Sequence, residues 1–343
     1  MRKGRCVGMV LAILFAFILV NSASAKTLIK LAHYMPAAPE WSQHAAAMMF
    51  KAFIEGQSGG EMEVAILPAG QVGNIRSAAE QCQNNVIQMM VIDDGSATSF
   101  VPEMQIFTLP YLFSSRTIAW EVLDGPLGDE LAETFLKQSG LRVLGWAENG
   151  YRHFTNNSKP IKSPADMKGM KIRVMESPAY IAMVKGLGAN PTPVAWTELY
   201  SALQQKVVDG QENPITNIMS GKLYEVQKFL TLDGHTYSVH GWIINNDTWK
   251  SLSEKNRRIV KDAARMAVVA HRAANTMGDV KGLETLTKAG VQIYSPSSAE
   301  LEKFRSMAQP PVEEFLKTKI KGPWLEKLRK NIAEVEAGMA KVQ

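Results

Sequence analysis

The chain has 343 residues, 46% of them hydrophobic and 21% charged, a balance that builds packed cores and is too apolar for a disordered polymer. Thirty-eight Lys and Arg against 33 Asp and Glu give +5, and three of those cations (Arg2, Lys3 and Arg5) stand in an opening segment of 25 residues without an acid, so the remainder carries only +2. Such a small excess creates no polyanion-binding field and excludes nucleic acid as the expected partner.

That opening segment reads as a secretory signal peptide. The three cations precede an apolar run from Val7 to Val20, and Ala23-Ser24-Ala25 offers small side chains to a signal peptidase. The run falls short of the roughly 20 residues a membrane-spanning helix needs, so cleavage after Ala25 is expected, and no later segment is apolar enough to span. What remains exceeds the size one hydrophobic core usually serves, so two domains are expected. Cys6 leaves with the signal. Cys82 then stands alone, which rules out an internal disulfide or a multi-cysteine metal site, and its uncharged neighbours Gln81 and Gln83 favour a small buried apolar role.

From Lys26 onward β-type runs alternate with helical ones: Leu28 to Tyr34 then Trp41 to Gln57, Glu61 to Leu67 then Ile75 to Asn84, and Met89 to Ile92. Alternation of this kind predicts parallel α/β layers. A strand at Leu141 to Trp146 leads to Asn149-Gly150, and the alternating Tyr151-Arg152-His153-Phe154-Thr155 reads as a crossing between domains, with a first hinge at its start. A second unit follows. Ser163-Pro164-Ala165-Asp166 opens a helix with proline in its first turn, Lys171 to Val174 is strand, and Ser177-Pro178 opens a helix through Leu187. Gly188 to Pro193 breaks the pattern, Thr197 caps a helix from Glu198 to Gln205, and Val207-Val208 forms a short strand before an Asp209-Gly210 turn. Tyr237 to Asn245 is β-type and returns to the first domain. Ser253 and Glu254 open a long amphipathic helix through Ala274 and toward Lys288 that can brace both domains. Met48, Met49, Met183 and Met266 are expected as core filler. The expected partition is residues 26–150 with about 239–278 in lobe I, and 151–238 with about 279–343 in lobe II.

A search for chemistry finds no Gly-x-Ser-x-Gly elbow, no His-Glu-x-x-His pair, no Cys-x-x-Cys, no Walker loop and no Gly-x-Gly-x-x-Gly fingerprint. The six histidines never take a zinc-like helical spacing around an acid. Neither a metal nor a cofactor is therefore expected, and His33 is the histidine favoured to touch a ligand. Arg173 closes the apolar strand Met170-Lys171-Ile172-Arg173-Val174 upstream of Asp209-Gly210-Gln211-Glu212-Asn213-Pro214. A guanidinium there offers a planar fork that matches the two oxygens of a carboxylate and stays charged when a closing cleft removes its water.

Six stretches in this order resemble the solute-binding proteins of tripartite ATP-independent periplasmic (TRAP) transporters, DctP type: Leu67 to Gly73 (LPAGQVG), Phe107 to Phe113 (FTLPYLF), Asp166 to Val174 (DMKGMKIRV), Glu198 to Gln204 (ELYSALQ), Val208 to Pro214 (VDGQENP) and Lys222 to Lys228 (KLYEVQK). The resemblance covers nearly everything after Lys26. It implies an α/β, two-lobe periplasmic binding protein (flytrap) fold with mixed sheets and a long domain-bridging helix. It also implies a periplasmic monomer that delivers a small organic acid to TRAP permease membrane subunits and is not itself membrane-embedded. By that resemblance Arg173 grips the ligand carboxylate, Arg152 supports it, Asn213 faces the ligand, Trp196 forms an aromatic wall, and Tyr34, Asn74, Asp93 and Ser96 contribute from the first lobe.

Two acids depart from the commoner family pattern: Glu176, after Arg173-Val174-Met175, and Asp93, beside Asp94. Either could accept hydrogen bonds from ligand hydroxyls or an amine, which points to a polyhydroxylated or amino acid-like acid over a plain dicarboxylate. Glu176 could instead pair with Arg152 or a surface lysine. A rival from another class is a periplasmic enzyme using Asp93, Glu176 and His33 as acid and base on a similar acid.

Overall fold

The computed structural model describes residues 26–341; the expected signal peptide, with Cys6, lies outside the described residues. A nine-stranded mixed sheet organises the chain. Its strands are β1 (Thr27–Ala32), β2 (Met62–Leu67), β3 (Met89–Asp93), β4 (Leu141–Asn156), β5 (Lys171–Val174), β6 (Asn190–Pro193), β7 (Gly210–Asn213), β8 (Phe229–Asn245) and β9 (Gln292–Tyr294). The order is β2-β1-β3-β8-β4-β7-β5-β6, with β9 beside β8. In one half β1 runs parallel to β2 and β3, and in the other β5 runs parallel to β6 and β7. Between them β4 and β8 pair antiparallel from Leu141 opposite Asn245 to Asn156 opposite Phe229, so each starts in one half and ends in the other.

Three register shifts interrupt that long ladder, at Val143/Gly145, Glu148/Gly150 and Arg152/Phe154. Bulges bend and twist a strand, and here they turn the sheet between its halves. The middle shift holds Gly150, at φ +120°, where a Cβ would come within 3.2 Å of Pro214. Sequence reading ends the strand at Trp146 because this bulge breaks its alternation; the strand continues to Asn156.

The buried strand Met89–Asp93 is covered on both faces, which is why Met89 to Ile92 reads as a continuous apolar run. Helix Ser42–Gln57 covers one face with Ala46, Ala47, Phe50 and Ile54, packed with Ile29, Leu31 and Trp242. Met48 and Met49 fall off that stripe and are 46% and 41% exposed, and Met266 is likewise exposed, so of the four expected filler methionines only Met183 is in the core. Cys82 is buried, as its neighbours imply, and burial pushes its thiol up to about 12.

Three segments depart from the sequence expectation. Asn190–Pro193 is a strand, β6, because an edge position leaves the missing N–H groups of Pro191 and Pro193 without a ladder partner to lose. Asp209-Gly210 is no turn. Gly210 opens β7, where a Cβ would meet the Thr155 carbonyl oxygen at 2.3 Å, while Val207 and Val208 lie outside any strand. Thr197 sits inside the tight turn Trp196–Glu198 and caps nothing.

The long helix Glu254–Lys288 has 35 residues, about 50 Å of length at 1.5 Å per residue. Its first half packs Val260, Ala263, Ala264 and Ala267 against Trp242 and Ile244. Farther along, Gly278 and Gly282 admit Thr216 and Ile215 so closely that a Cβ would come to 2.6 Å and 2.4 Å, and Leu286 joins Leu199 and Leu230. One helix thus lies against both halves. Helix Ser298–Lys319 packs on helix Pro178–Gly186, whereas helix Trp324–Ala340 lies against helix Arg116–Asp124. The final helix therefore rests on residues of the first half. Among the described residues no helix is long and apolar enough to cross a membrane.

Candidate ligand-binding site

Where the halves of the sheet meet, the end of β3 supplies Asp93, β4 supplies Arg152, β5 Arg173, β7 Asn213 and β8 His240 to the wall of one cavity. The loops add Tyr34, Asn74, Ser96, Glu176 and Trp196. Nine of the ten residues expected from the sequence thus line one space. His33 does not: it is fully buried, its Nε2 lies 3.0 Å from His44 Nδ1, and burial, with His44 adding to it, lowers its pKa to about 3. The cavity has a volume of about 70 Å³.

Three arginines are buried among the described residues: Arg152, Arg173 and Arg272. Arg272 meets Asp124 through both terminal nitrogens, at 2.6 and 2.8 Å. Arg152 is fully buried and forked onto Glu212, with Nε donating to Oε2 and Nη2 donating to Oε1 at 2.8 Å and to the Glu212 carbonyl at 2.6 Å. Burial would raise the Glu212 carboxyl, but Arg152 and then His235 outweigh it and hold it at about 2. Glu176 is not the partner of Arg152, and its side chain is exposed. Of the Arg152 nitrogens only Nη1 is left over, buried without a hydrogen-bond partner among the described residues.

Arg173 differs. It is 2% exposed, its Nε donates to the Val194 carbonyl at 2.9 Å, and among the described residues no carboxylate pairs with it. Burial lowers its pKa to about 10; the field of Glu212 opposes that, Arg152 reinforces it, and Asp93 and Glu176 oppose it more weakly. A desolvated fork without a counter-ion is a built receptor for an anion.

The rest of the wall is rich in neutral hydrogen-bonding groups. Asn213 Oδ1 accepts from Asn217 Nδ2 at 3.1 Å and from Arg152 Nη2 at 3.3 Å, and Asn217 also donates to Asn149 Oδ1 at 3.1 Å. Asn74 and Asp93 each cap a short helix, accepting from Ser77 and Ser96 backbone N–H groups at 2.8 Å, which fixes their orientation. The Tyr34 hydroxyl is buried with no partner among the described residues. Trp196 lies half-buried, its ring against Gly221, where a Cβ would come to 2.8 Å. Gln43, Asn149, Asn217 and His240 also line the cavity, and sequence reasoning misses all four. Asn217 stands one helical turn beyond Asn213, a spacing that could have drawn attention to it; Gln43 and His240 carry no local signal.

Contacts also cross the cavity. Met175 of the second half packs so tightly on Gly95 of the first that a Cβ would fall 2.6 Å from its Cε, and Tyr180 donates to Asp94 Oδ2 at 3.4 Å. The two halves are therefore in contact around the site. A catalytic constellation of Asp93, Glu176 and His33 is not assembled, since His33 faces His44 away from the cavity.

The sequence matches the family described as bacterial extracellular solute-binding protein, family 7 (DctP), over residues 31–319. A solute-binding protein of Verminephrobacter eiseniae is 38% identical over 251 residues, which is 73% of this chain and 75% of that protein. The 2,3-diketo-L-gulonate-binding periplasmic protein YiaO of Escherichia coli is 34% identical over 74% of this chain and 77% of its own. Among solved structures, the sugar acid binding protein DctPAm of Advenella mimigardefordensis, in complex with galactonate, superposes with a TM-score of 0.86 at 31% identity, covering 90% of this chain and 99% of that one.

Proposed function

The chain belongs to family 7 of the bacterial extracellular solute-binding proteins, receptors for small organic acids in TRAP transport, and we propose that its own ligand is a polyhydroxylated monocarboxylate of sugar-acid type. The observation that carries this reading is Arg173, the buried arginine without a carboxylate partner among the described residues. Arg76 also lines the cavity, but it is exposed and donates to Glu80 at 3.2 Å, so the one buried cation without a carboxylate partner among the described residues calls for one carboxylate. Arg152 is neutralised by Glu212 and cannot serve a second carboxylate at full charge. The amides of Asn149, Asn213 and Asn217 and the carboxylate of Asp93 suit hydroxyl groups, which both donate and accept. Trp196 closes one side as an apolar face for the carbon skeleton.

Closure follows from the same charge. An anion bound to Arg173 offsets the desolvation of the guanidinium only when both halves surround it, so the ligand stabilises the closed form over the open one. The bulge at Glu148/Gly150 and the facing stretch Tyr237 to His240 are the proposed hinge. The receptor acts in the periplasm after removal of residues 1–25, and its partner is a TRAP permease. Two of the relatives named above bind a diketo-gulonate and galactonate, both sugar acids, which supports the ligand class.

A calorimetric panel of D-galactonate, shorter aldonates, glutamate and succinate tests the class. An aldonate is expected to bind most tightly, with succinate weaker by at least about tenfold, or roughly 1.4 kcal/mol, because its second carboxylate meets no second buried cation lacking a carboxylate partner among the described residues. Succinate binding as tightly as the best aldonate would remove the monocarboxylate reading.

A further inference from the structure

His240 lines the cavity, and two buried residues stand behind it. Trp242 Nε1 lies 3.2 Å from His271 Nδ1, and His271 Nε2 lies 3.2 Å from His240 Nδ1. Both imidazole rings are buried, with His271 fully so. An indole N–H can only donate, so His271 Nδ1 must accept and a neutral His271 must carry its proton on Nε2. That proton points at His240 Nδ1, which in turn must accept, and a neutral His240 is left with its proton on Nε2.

Neutrality is what the surroundings favour. Burial lowers His240 to about 4; Asp93 opposes this, Arg152 adds to it, and the Glu148 backbone opposes it weakly. His271 is held well below the ordinary histidine value by burial first, with His240, His33 and Arg272 adding to the effect.

The second donor is Gln43. Its Oε1 accepts from the Tyr34 backbone N–H at 2.8 Å, so its amide nitrogen faces His240, with 3.5 Å between Gln43 Nε2 and His240 Nε2. With the tautomer set by Trp242, that approach is donor against donor and makes no hydrogen bond. Both residues line the cavity instead.

We propose that Trp242 and His271 are positioning residues that lock His240 in its Nε2–H form, so that His240 and Gln43 present two converging donors to one oxygen of the ligand. The subsite takes an acceptor, a hydroxyl or keto oxygen, on the first-half wall across from Arg173. It does not take an ammonium group, which has no lone pair to offer. Within the proposed ligand class this favours hydroxy and keto acids over amino acids, and in that respect it rests on the receptor reading given above.

The test begins with the unliganded wild-type protein, labelled with nitrogen-15, in long-range nitrogen–proton correlation spectra at neutral pH. His240 and His271 are both expected as Nε2–H tautomers; either one found as Nδ1–H, or doubly protonated, overturns the proposal. This measurement needs no ligand, so its failure is distinct from failure of the receptor reading, which would show as wild-type protein that binds no carboxylic acid. Trp242→Phe then removes the anchoring donor. Mixed tautomers at His271 and D-galactonate binding weaker by roughly tenfold are expected, the scale of one neutral hydrogen bond. An unchanged His240 signal together with unchanged affinity would overturn the proposal, and if the variant does not fold, the wild-type spectrum decides alone.

Discussion

Replacing Arg173 with alanine is expected to weaken binding of the acid by roughly 2 to 5 kcal/mol, the cost of losing one partner from a desolvated charge pair. In dissociation constants that is about thirtyfold to several thousandfold, a range that titration calorimetry resolves. Lysine should restore little, because a point charge cannot reproduce the two parallel hydrogen bonds of a guanidinium. The unliganded variant should be no less stable than the wild type. Burial already works against the charge of Arg173, lowering its pKa to about 10, and among the described residues no carboxylate partner is left stranded by its removal. Affinity near the wild-type value would refute the anchor role.

Glu212→Gln is expected to act in the opposite way, on stability first. Glu212 is fully buried, and its carboxylate meets Arg152 and, at 3.3 Å, His235 Nε2. His235 in turn lies 2.9 Å from Asp233 and is raised to about 9, because Asp233 and Glu212 together outweigh its burial. Removing one negative charge from this closed set leaves Arg152 buried without compensation, which costs about 3 to 5 kcal/mol. Urea unfolding followed by circular dichroism should show the midpoint falling with an unchanged slope. Pairing the change with Arg152→Met should recover much of the loss, since no uncompensated guanidinium is then left buried. A single Glu212→Gln variant as stable as the wild type would show that the pair does not hold this part of the sheet.

Much of this architecture is legible in the chain because the relevant signals are local. A continuous apolar run marks Met89 to Ile92, and the buried strand Lys171–Val174 carries the arginine that lines the cavity. The long helix declares itself through Ser253, whose hydroxyl accepts from the Asn256 N–H at its start. What stays hidden depends on neighbours far along the chain. Asn190–Pro193 can be a strand because it pairs with β5 at the edge of the sheet, where among the described residues no strand needs its outer N–H groups, a fact of the sheet order and not of its own residues. Glu212 stands within a stretch quoted for its resemblance, yet its partner Arg152 lies 60 positions earlier. Sequence reading favours His33 as a ligand contact, but His44 holds it away from the cavity, while His240, with no local signal, reaches the wall because β8 carries it beside Asp93. Helical spacing alone does not reveal that Met48 and Met49 fall off the covered stripe of their helix.

The central claim is that the buried guanidinium of Arg173, which has no carboxylate partner among the described residues, receives the carboxylate of the guest. A crystal structure of the protein with a bound aldonate tests this most directly. The expected result places both carboxylate oxygens about 2.7 to 2.9 Å from nitrogens of Arg173, with the ligand hydroxyls on the opposite wall. An occupant whose carboxylate lies elsewhere, leaving Arg173 without an anionic partner in the closed protein, would contradict it.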